Sequence, residues 1–290
     1  MNTIWSTYVQ RAETLYCSRA LRFSDLFREK YMSAFAIDGR RRLLEIGCGP
    51  GALSASLHRW YPDAEITGID RDSYFIEFAR QKAPSLTFTE GDATALSFED
   101  KTFDVTISNT VAEHVEPSKF FGEQYRVLNP GGVCLMLSSR RGVHIAAPCV
   151  AVETDFEKEI WQRVEERCAE FDKEHEICRY PMSEQEYPLC MQKYGFRDIS
   201  TEYITLNLTP DDPLYSQEDA YAMILENRQT RLDGIEILKE IASDLVRADE
   251  FAELQRLILQ KYDTRLRLYD AKEKQWDTDI LMIMVMRGIK

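Results

Sequence analysis

Residues 43–51 read Leu43-Leu44-Glu45-Ile46-Gly47-Cys48-Gly49-Pro50-Gly51. A short apolar run with an acid inside it gives way to glycines at alternate positions. Ala52-Leu53-Ser54-Ala55-Ser56-Leu57 then suits the opening of a helix. Strand, glycine turn and helix in that order bring backbone against a small ligand, because glycine has no Cβ to hold the ligand away and accepts positive φ. The spacing is Glu-x-Gly-x-Gly-x-Gly rather than the Gly-x-Gly-x-x-Gly of dinucleotide sites. An acid at position 45 repels a pyrophosphate and suits a ligand that carries an ammonium group.

Working outward, strand candidates at 42–46, 65–69, 86–89, 103–108 and 133–138 alternate with helix candidates at 51–60, 72–82 and 117–127. That alternation predicts a doubly wound α/β fold, a mostly parallel sheet with helices on both faces. Ligands of such sheets sit at the carboxyl ends of the strands, so the residues just past each strand are site candidates. Asp70 follows the second strand, where an acid accepts from ribose hydroxyls; its other available job, capping the next helix, can be filled by Asp72 or Ser73. Glu90-Gly91-Asp92-Ala93 follows the third, with Asp92 also suited to an Asx turn. Ser108-Asn109-Thr110-Val111-Ala112-Glu113-His114-Val115 follows the fourth; His114 reads either as a base near neutral pH or as a helix residue bonded to backbone. The fifth ends in Ser138-Ser139-Arg140-Arg141, whose arginines either hold an acceptor carboxylate or are solvated at the start of an insertion.

The stretch at 43–51, the acids in order after the strands and the Asn129-Pro130-Gly131-Gly132 turn together resemble the class I S-adenosylmethionine (SAM)-dependent methyltransferases over roughly residues 40–139. The resemblance implies SAM as cofactor and no metal. It assigns Glu45, Gly47, Cys48, Gly49 and Gly51 to the first motif, Asp70 and Arg71 to the ribose end, Asp92 and Ala93 to the adenine, and Asn109 to cofactor and acceptor contacts. It also implies a seven-stranded sheet whose last strand, 279–286, runs antiparallel between the fifth and sixth. The Asn/Asp-Pro-Pro-Tyr/Phe loop of enzymes acting on DNA adenine or glutamine amides is lacking after the fourth strand. The expected activity is methyl transfer to a small-molecule acceptor, with a protein methyltransferase or a non-catalytic SAM-binding interaction protein as alternatives.

Outside 40–139 the resemblance supplies no motif. Trp5, Tyr8, Val9, Ala12, Leu15 and Tyr16 recur at helical spacing, and Ser24 can cap a second helix to about Phe35. Residues 1–36, with Trp5, Tyr8, Tyr16, Arg22 and Phe23 facing the acceptor alongside Arg140, are expected to form a helical lid that closes together with insertion 140–185, or else to be permanently docked helices. Residues 37–290 then form the methyltransferase domain, with helical insertions at about 140–185, mainly a charged helix at 153–175, and 210–275. Met182–Tyr194 reads as a helix and Phe196–Leu208 as a strand; three helices follow at 216–232, 235–247 and 249–270, which either bury a homodimer face or complete the monomer.

A formal charge of −13 argues against a nucleic-acid partner, since that affinity comes from phosphate neutralisation by Lys and Arg. Residues 151–200 are rich in carboxylates, which reads as a solvated helix face or as a draw for an amine acceptor. No apolar run reaches the roughly 18 residues of a membrane span, and Met1-Asn2-Thr3-Ile4-Trp5 has no secretory pattern. Seven scattered cysteines point to reduced thiols in a cytoplasmic protein, and those near His175 (Cys168, Cys178, Cys190) match no zinc spacing.

Overall fold

Leu43, Leu44 and Ile46 leave the first strand no polar face, so it needs cover on both sides. The computed structural model, which describes residues 4–290 apart from the side chains of 140–143, puts β1 (Arg42–Ile46) in the middle of a seven-stranded sheet. β2 (Glu65–Asp70) and β4 (Phe103–Asn109) flank it in parallel, with Glu45 opposite Gly68 on one side and Ile107 on the other. β3 (Thr87–Glu90), β5 (Leu128–Ala147), β6 (Arg197–Leu208) and β7 (Thr278–Ile289) complete the order β3-β2-β1-β4-β5-β7-β6. β7 pairs antiparallel with both β5 and β6, as the resemblance implied.

Alternate residues of each central strand feed opposite layers. Leu43, Leu135 and Val285 meet the layer built from α1 (Ala12–Arg22), α2 (Arg28–Phe35) and α3 (Ala52–Trp60), including Phe23, Tyr31 and Trp60. Leu44, Met136, Met284 and Met286 meet the opposite layer, where α5 (Pro117–Val127) and α7 (Glu186–Lys193) supply Phe120, Phe121 and Met191. α4 (Ser73–Lys82) covers the far edge with Ile76 and Ala79 against Phe88. A third core joins α6 (Asp155–Glu174), α8 (Gln217–Ile241) and α9 (Ala248–Asp270) through Ile160, Ile235, Leu238, Leu254 and Ile258. The acidic helix is pinned there by ion pairs of Arg163 with Glu250 at 3.0 Å and Arg167 with Asp244 at 2.9 Å. No helix among the described residues is long and apolar enough to cross a membrane.

Four elements differ from the sequence reading, each through tertiary context. The first helix is broken: Trp5–Val9 make one wide turn, Gln10 and Arg11 are extended, and α1 starts at Ala12. The break accompanies a long-range bond, from the Ser6 N–H to the buried Asp72 carboxylate at 2.9 Å. α8 runs straight through Asp233-Gly234, where a boundary between two helices was expected. A helical glycine costs about 1 kcal/mol, whereas burying Ile235 and Leu238 is worth about 1.5–3 kcal/mol each, so burial wins. β5 continues to Ala147, with His144–Ala147 pairing with Thr278–Leu281 after a register shift, so the insertion begins beyond Ala147. α7 starts at Glu186 rather than Met182, where Ser183 and Glu186 exchange cap-type bonds and Pro188 falls in the first turn, which needs no N–H from it.

Candidate functional site

At the carboxyl end of β1 the chain must turn sharply to enter α3, and the three glycines do this at positive φ: +68° at Gly47, +52° at Gly49 and +86° at Gly51. Two of them are also closed to any side chain. A Cβ at Gly47 would overlap Val111, and one at Gly51 would sit 2.9 Å from Ala79 Cβ. Gly49 is different, with only Leu15 at 3.5 Å. The turn is fixed from outside: the Cys48 N–H donates to Ile69 O at 2.9 Å, and the Gly49 N–H donates to Asp70 Oδ2 at 2.9 Å.

The turn floors a cavity of about 420 Å³. Glu45, Gly47, Cys48, Gly49, Asp70 and Arg71 line it from β1 and β2, and Asp92, Ala93, Asn109 and His114 from the loops after β3 and β4. Glu45 is 2 % exposed, accepts from the Ser54 hydroxyl, and is pushed up to about 8 by burial, with Asp70 adding to the effect. Burial raises Asp70 too, although it accepts backbone N–H bonds from Asp72 and Gly49. Two desolvated carboxylates without an ion pair among the described residues make one end of the cavity a place for a cation and for hydroxyl donors. Asp92 does form the Asx turn, its Oδ1 accepting from Thr94 N and Thr94 Oγ1 at 2.8 Å each, and still borders the cavity. The Cys48 thiol is pushed well above its ordinary value by burial, which makes it packing rather than a nucleophile.

The opposite wall is N-terminal. Trp5, Val9, Gln10, Leu15, Arg19, Arg22 and Phe23 face the same cavity. The Trp5 ring meets His114 edge-on at 4.6 Å and lies 5.9 Å from the Arg71 guanidinium, so this turn bridges the loops after β2 and β4. Thr110, at φ +55°, swings Val111 over Gly47. His114 Nδ1 accepts the Cys178 N–H at 2.9 Å, which commits that lone pair and puts the proton of the neutral ring on Nε2. The geometry therefore suits a hydrogen-bond donor better than a base.

Not every expected residue is here. Gly51 lies beneath the turn, against Ala79 and Phe88. Tyr8 packs on Phe171, and Tyr16 on Phe78 under Lys82, both away from the cavity. Their aromatic character reflects packing between helices. The Arg140 side chain lies outside the described residues. Sequence reasoning missed Gln10, Arg19 and Glu113, which line the cavity. The one signal for Arg19 was its place three residues before Arg22 on an otherwise mostly uncharged helix.

Residues 44–136 match the family described as a methyltransferase domain, the stretch from β1 into β5. The fatty-acid O-methyltransferase of Mycolicibacterium smegmatis is 39% identical over 104 residues, 34% of this chain and 38% of that protein. Phthiotriol/phenolphthiotriol dimycocerosates methyltransferase 1 of Mycobacterium ulcerans is 39% identical over 110 residues, 37% of this chain and 40% of that one. The chain thus spans about two fifths of the length of these relatives. Among solved structures, phosphoethanolamine N-methyltransferase 2 of Haemonchus contortus, in complex with SAM, superposes with a TM-score of 0.52 at 18% identity, over 99% of this chain and 59% of that one. The [4+2]-cyclase SpnF gives 0.50 at 15% identity over 92% of this chain and 80% of the other, so shared fold alone does not fix the reaction.

Proposed function

We propose, from the premise that residues 44–136 are a class I SAM-dependent methyltransferase domain, that this chain transfers the methyl group of SAM to a small-molecule acceptor. The observation that carries the reading is a cavity with Glu45 and Asp70 at the glycine turn and a second, N-terminal wall opposite. Its volume is within the usual range of ligand pockets, about 300–1,000 Å³. Relatives named for fatty-acid and phthiotriol methylation support a small-molecule, lipid-like acceptor.

The residues fit the cofactor. Glu45, lacking a cation, would take its ammonium group; Asp70 would accept from the ribose hydroxyls; Asp92 and Ala93 border the adenine end; Gly47, Cys48, Gly49, Arg71 and Asn109 complete the wall. Bound SAM supplies a methyl group on a sulfonium that is its own leaving group. The chain's work is then to align an acceptor atom and keep water out, and effective concentration alone can lower the barrier by several kcal/mol, up to about 7–11. His114, held through Nδ1 by the Cys178 N–H, borders the cavity beside Trp5. Residues 1–36 act as the lid, latched by Ser6 on Asp72 and by Thr14 Oγ1 on Asp233 at 2.5 Å, with Trp5 over the gap. The chain is proposed to work in the cytoplasm with its described, unbridged cysteines reduced. α8 and α9 spend their apolar stripes on each other, with α6 packed alongside, which supports completion of the monomer rather than a homodimer face. The charge of −13 supports the absence of a nucleic-acid partner.

The test is calorimetric titration with SAM, followed by S-adenosylhomocysteine formation in metabolite extracts and in protein extracts. Binding with turnover only on small molecules is expected. No SAM binding overturns the reading, and turnover only on proteins overturns the acceptor class.

A further inference from the structure

The N-terminal wall carries two arginines that its own fold does not explain. Arg19 and Arg22 are one turn apart on α1, so their side chains leave the same face of the helix, and that face borders the cavity. A helix C-terminus favours cations, but ordinarily solvated ones. These two are half-buried against the cavity. Burial pulls Arg19 down to about 9, and the neighbouring Arg22 charge pulls in the same direction; burial lowers Arg22 as well. Neither makes an ion pair among the described residues. Arg22 reaches across the cavity to the end of the β5 core, where its Nη1 stands 3.4 Å from Ser139 Oγ, and its buried Nε has no hydrogen-bond partner.

The acids near them offset this only by charge at a distance, with no ion pair to either arginine among the described residues. Glu226 of α8 accepts from Thr230 at 3.1 Å, and its own burial raises it, so it holds its charge less firmly. Asp279 of β7 bonds to His144. Glu113 and Tyr31 act on the arginines only at a distance. Two desolvated guanidiniums side by side, one with an unused donor, are costly unless an anion joins them. A planar fork of donors matches the oxygens of a carboxylate or a phosphate. Val9, Leu15, Phe23 and Val111 make the adjoining surface apolar.

We propose that Arg19 and Arg22 form an anion subsite on the acceptor side of the cavity, and that the methyl acceptor carries a carboxylate or phosphate beside an apolar body. As a statement about the acceptor it rests on the methyltransferase reading; as a binding site it does not. The acidic end takes the cationic cofactor, the basic end the anionic acceptor, and exchanging the two is electrostatically disfavoured.

The experiment titrates the full chain with octanoate, octyl phosphate, octanol and octyltrimethylammonium, each with and without saturating S-adenosylhomocysteine. Octanoate or octyl phosphate should bind at least about tenfold more tightly than octanol, and the better of the two names the anion. With the acidic end filled by S-adenosylhomocysteine, octyltrimethylammonium should not bind. Arg22→Met should weaken the preferred anion by about tenfold or more while leaving S-adenosylhomocysteine affinity within about twofold; Arg22→Lys should recover part of the loss. Should Arg22→Met fail to fold, the wild-type ranking of octanoate and octyl phosphate against octanol decides alone. Equal binding of octanol and the anions, or an anion affinity untouched by Arg22→Met, overturns the subsite. Failure of S-adenosylhomocysteine to bind, with the anion preference intact, overturns the methyltransferase reading and leaves the subsite standing.

Discussion

The two walls of the cavity differ in charge, in origin and in the forces that shape them. The wall from β1 to β4 presents Glu45, Asp70 and Asp92 on turns fixed by backbone hydrogen bonds and by glycines that admit no side chain. The wall from the N-terminal segment presents Arg19 and Arg22 on a helix held by side-chain packing and a few tethers. A site of this kind separates a part that must be rigid to hold one ligand from a part that can be re-specified for another.

The sharpest way to break the first wall is Gly47→Ala. Positive φ costs about 1–2 kcal/mol and overlap with Val111 about 1–3 more, so stability should fall by about 2–5 kcal/mol in a urea melt. Adding Val111→Ala should return the steric share but not the strain, and a double mutant no better than Gly47→Ala would show that the contact is not the cause.

Asp70→Ala comes next. It removes an acceptor for ribose and the anchor of the Gly49 N–H, so SAM affinity should drop by about 1.5–3 kcal/mol, at least tenfold by calorimetry. An unchanged affinity would take Asp70 out of the site. Asp72→Ala tests the join between the walls. Asp72 caps α4 through Tyr74 and Phe75 and also receives the Ser6 N–H, so its loss should cost about 1 kcal/mol and expose residues 4–11 to protease. Equal proteolysis of variant and wild type would mean the N-terminal turn is held by its rings.

The smallest expected signal concerns protons. Glu45 in the ligand-free protein titrates near 8, above its unfolded value near 4.3–4.5, so it is mostly protonated at pH 7. The folded state then binds more protons than the unfolded one between those limits. Glu45's contribution to stability is therefore fully present below about 4.5 and lost as pH rises through about 8. An ammonium ligand needs the carboxylate, so SAM binding at pH 7 should release up to about one proton, read from calorimetry in buffers of different ionisation heat. Glu45→Gln should abolish that release; a release that survives the substitution belongs to another group.

How far each wall was legible follows from the same contrast. Glycines at a strand end, an acid inside the first strand and after the second and third, and period-two apolar runs are local signals, and the turn, the sheet order and most residues lining that side of the cavity follow from them. Which face of α1 looks inward depends on contacts with α3 and α8, far away in sequence, so Arg19 went unseen while Tyr8 and Tyr16, chosen as aromatics, proved to pack between helices. The segment boundary expected at Gly234 was overridden by burial of Ile235 and Leu238. His114 was open to two readings on sequence because its partner, the Cys178 amide, comes from the α6–α7 connection.

The placement of β7 between β5 and β6 has a consequence for synthesis. β5 emerges from the ribosome early, yet its second neighbour appears only after α6 to α9 have been made, at about 5–20 residues per second. For several seconds the nascent sheet therefore offers Val133–Leu137, an uncharged apolar ribbon, as an open edge to any passing strand. Aggregation of this protein in a heterologous host should originate at that edge, and slowing translation upstream of Thr278 should aggravate it.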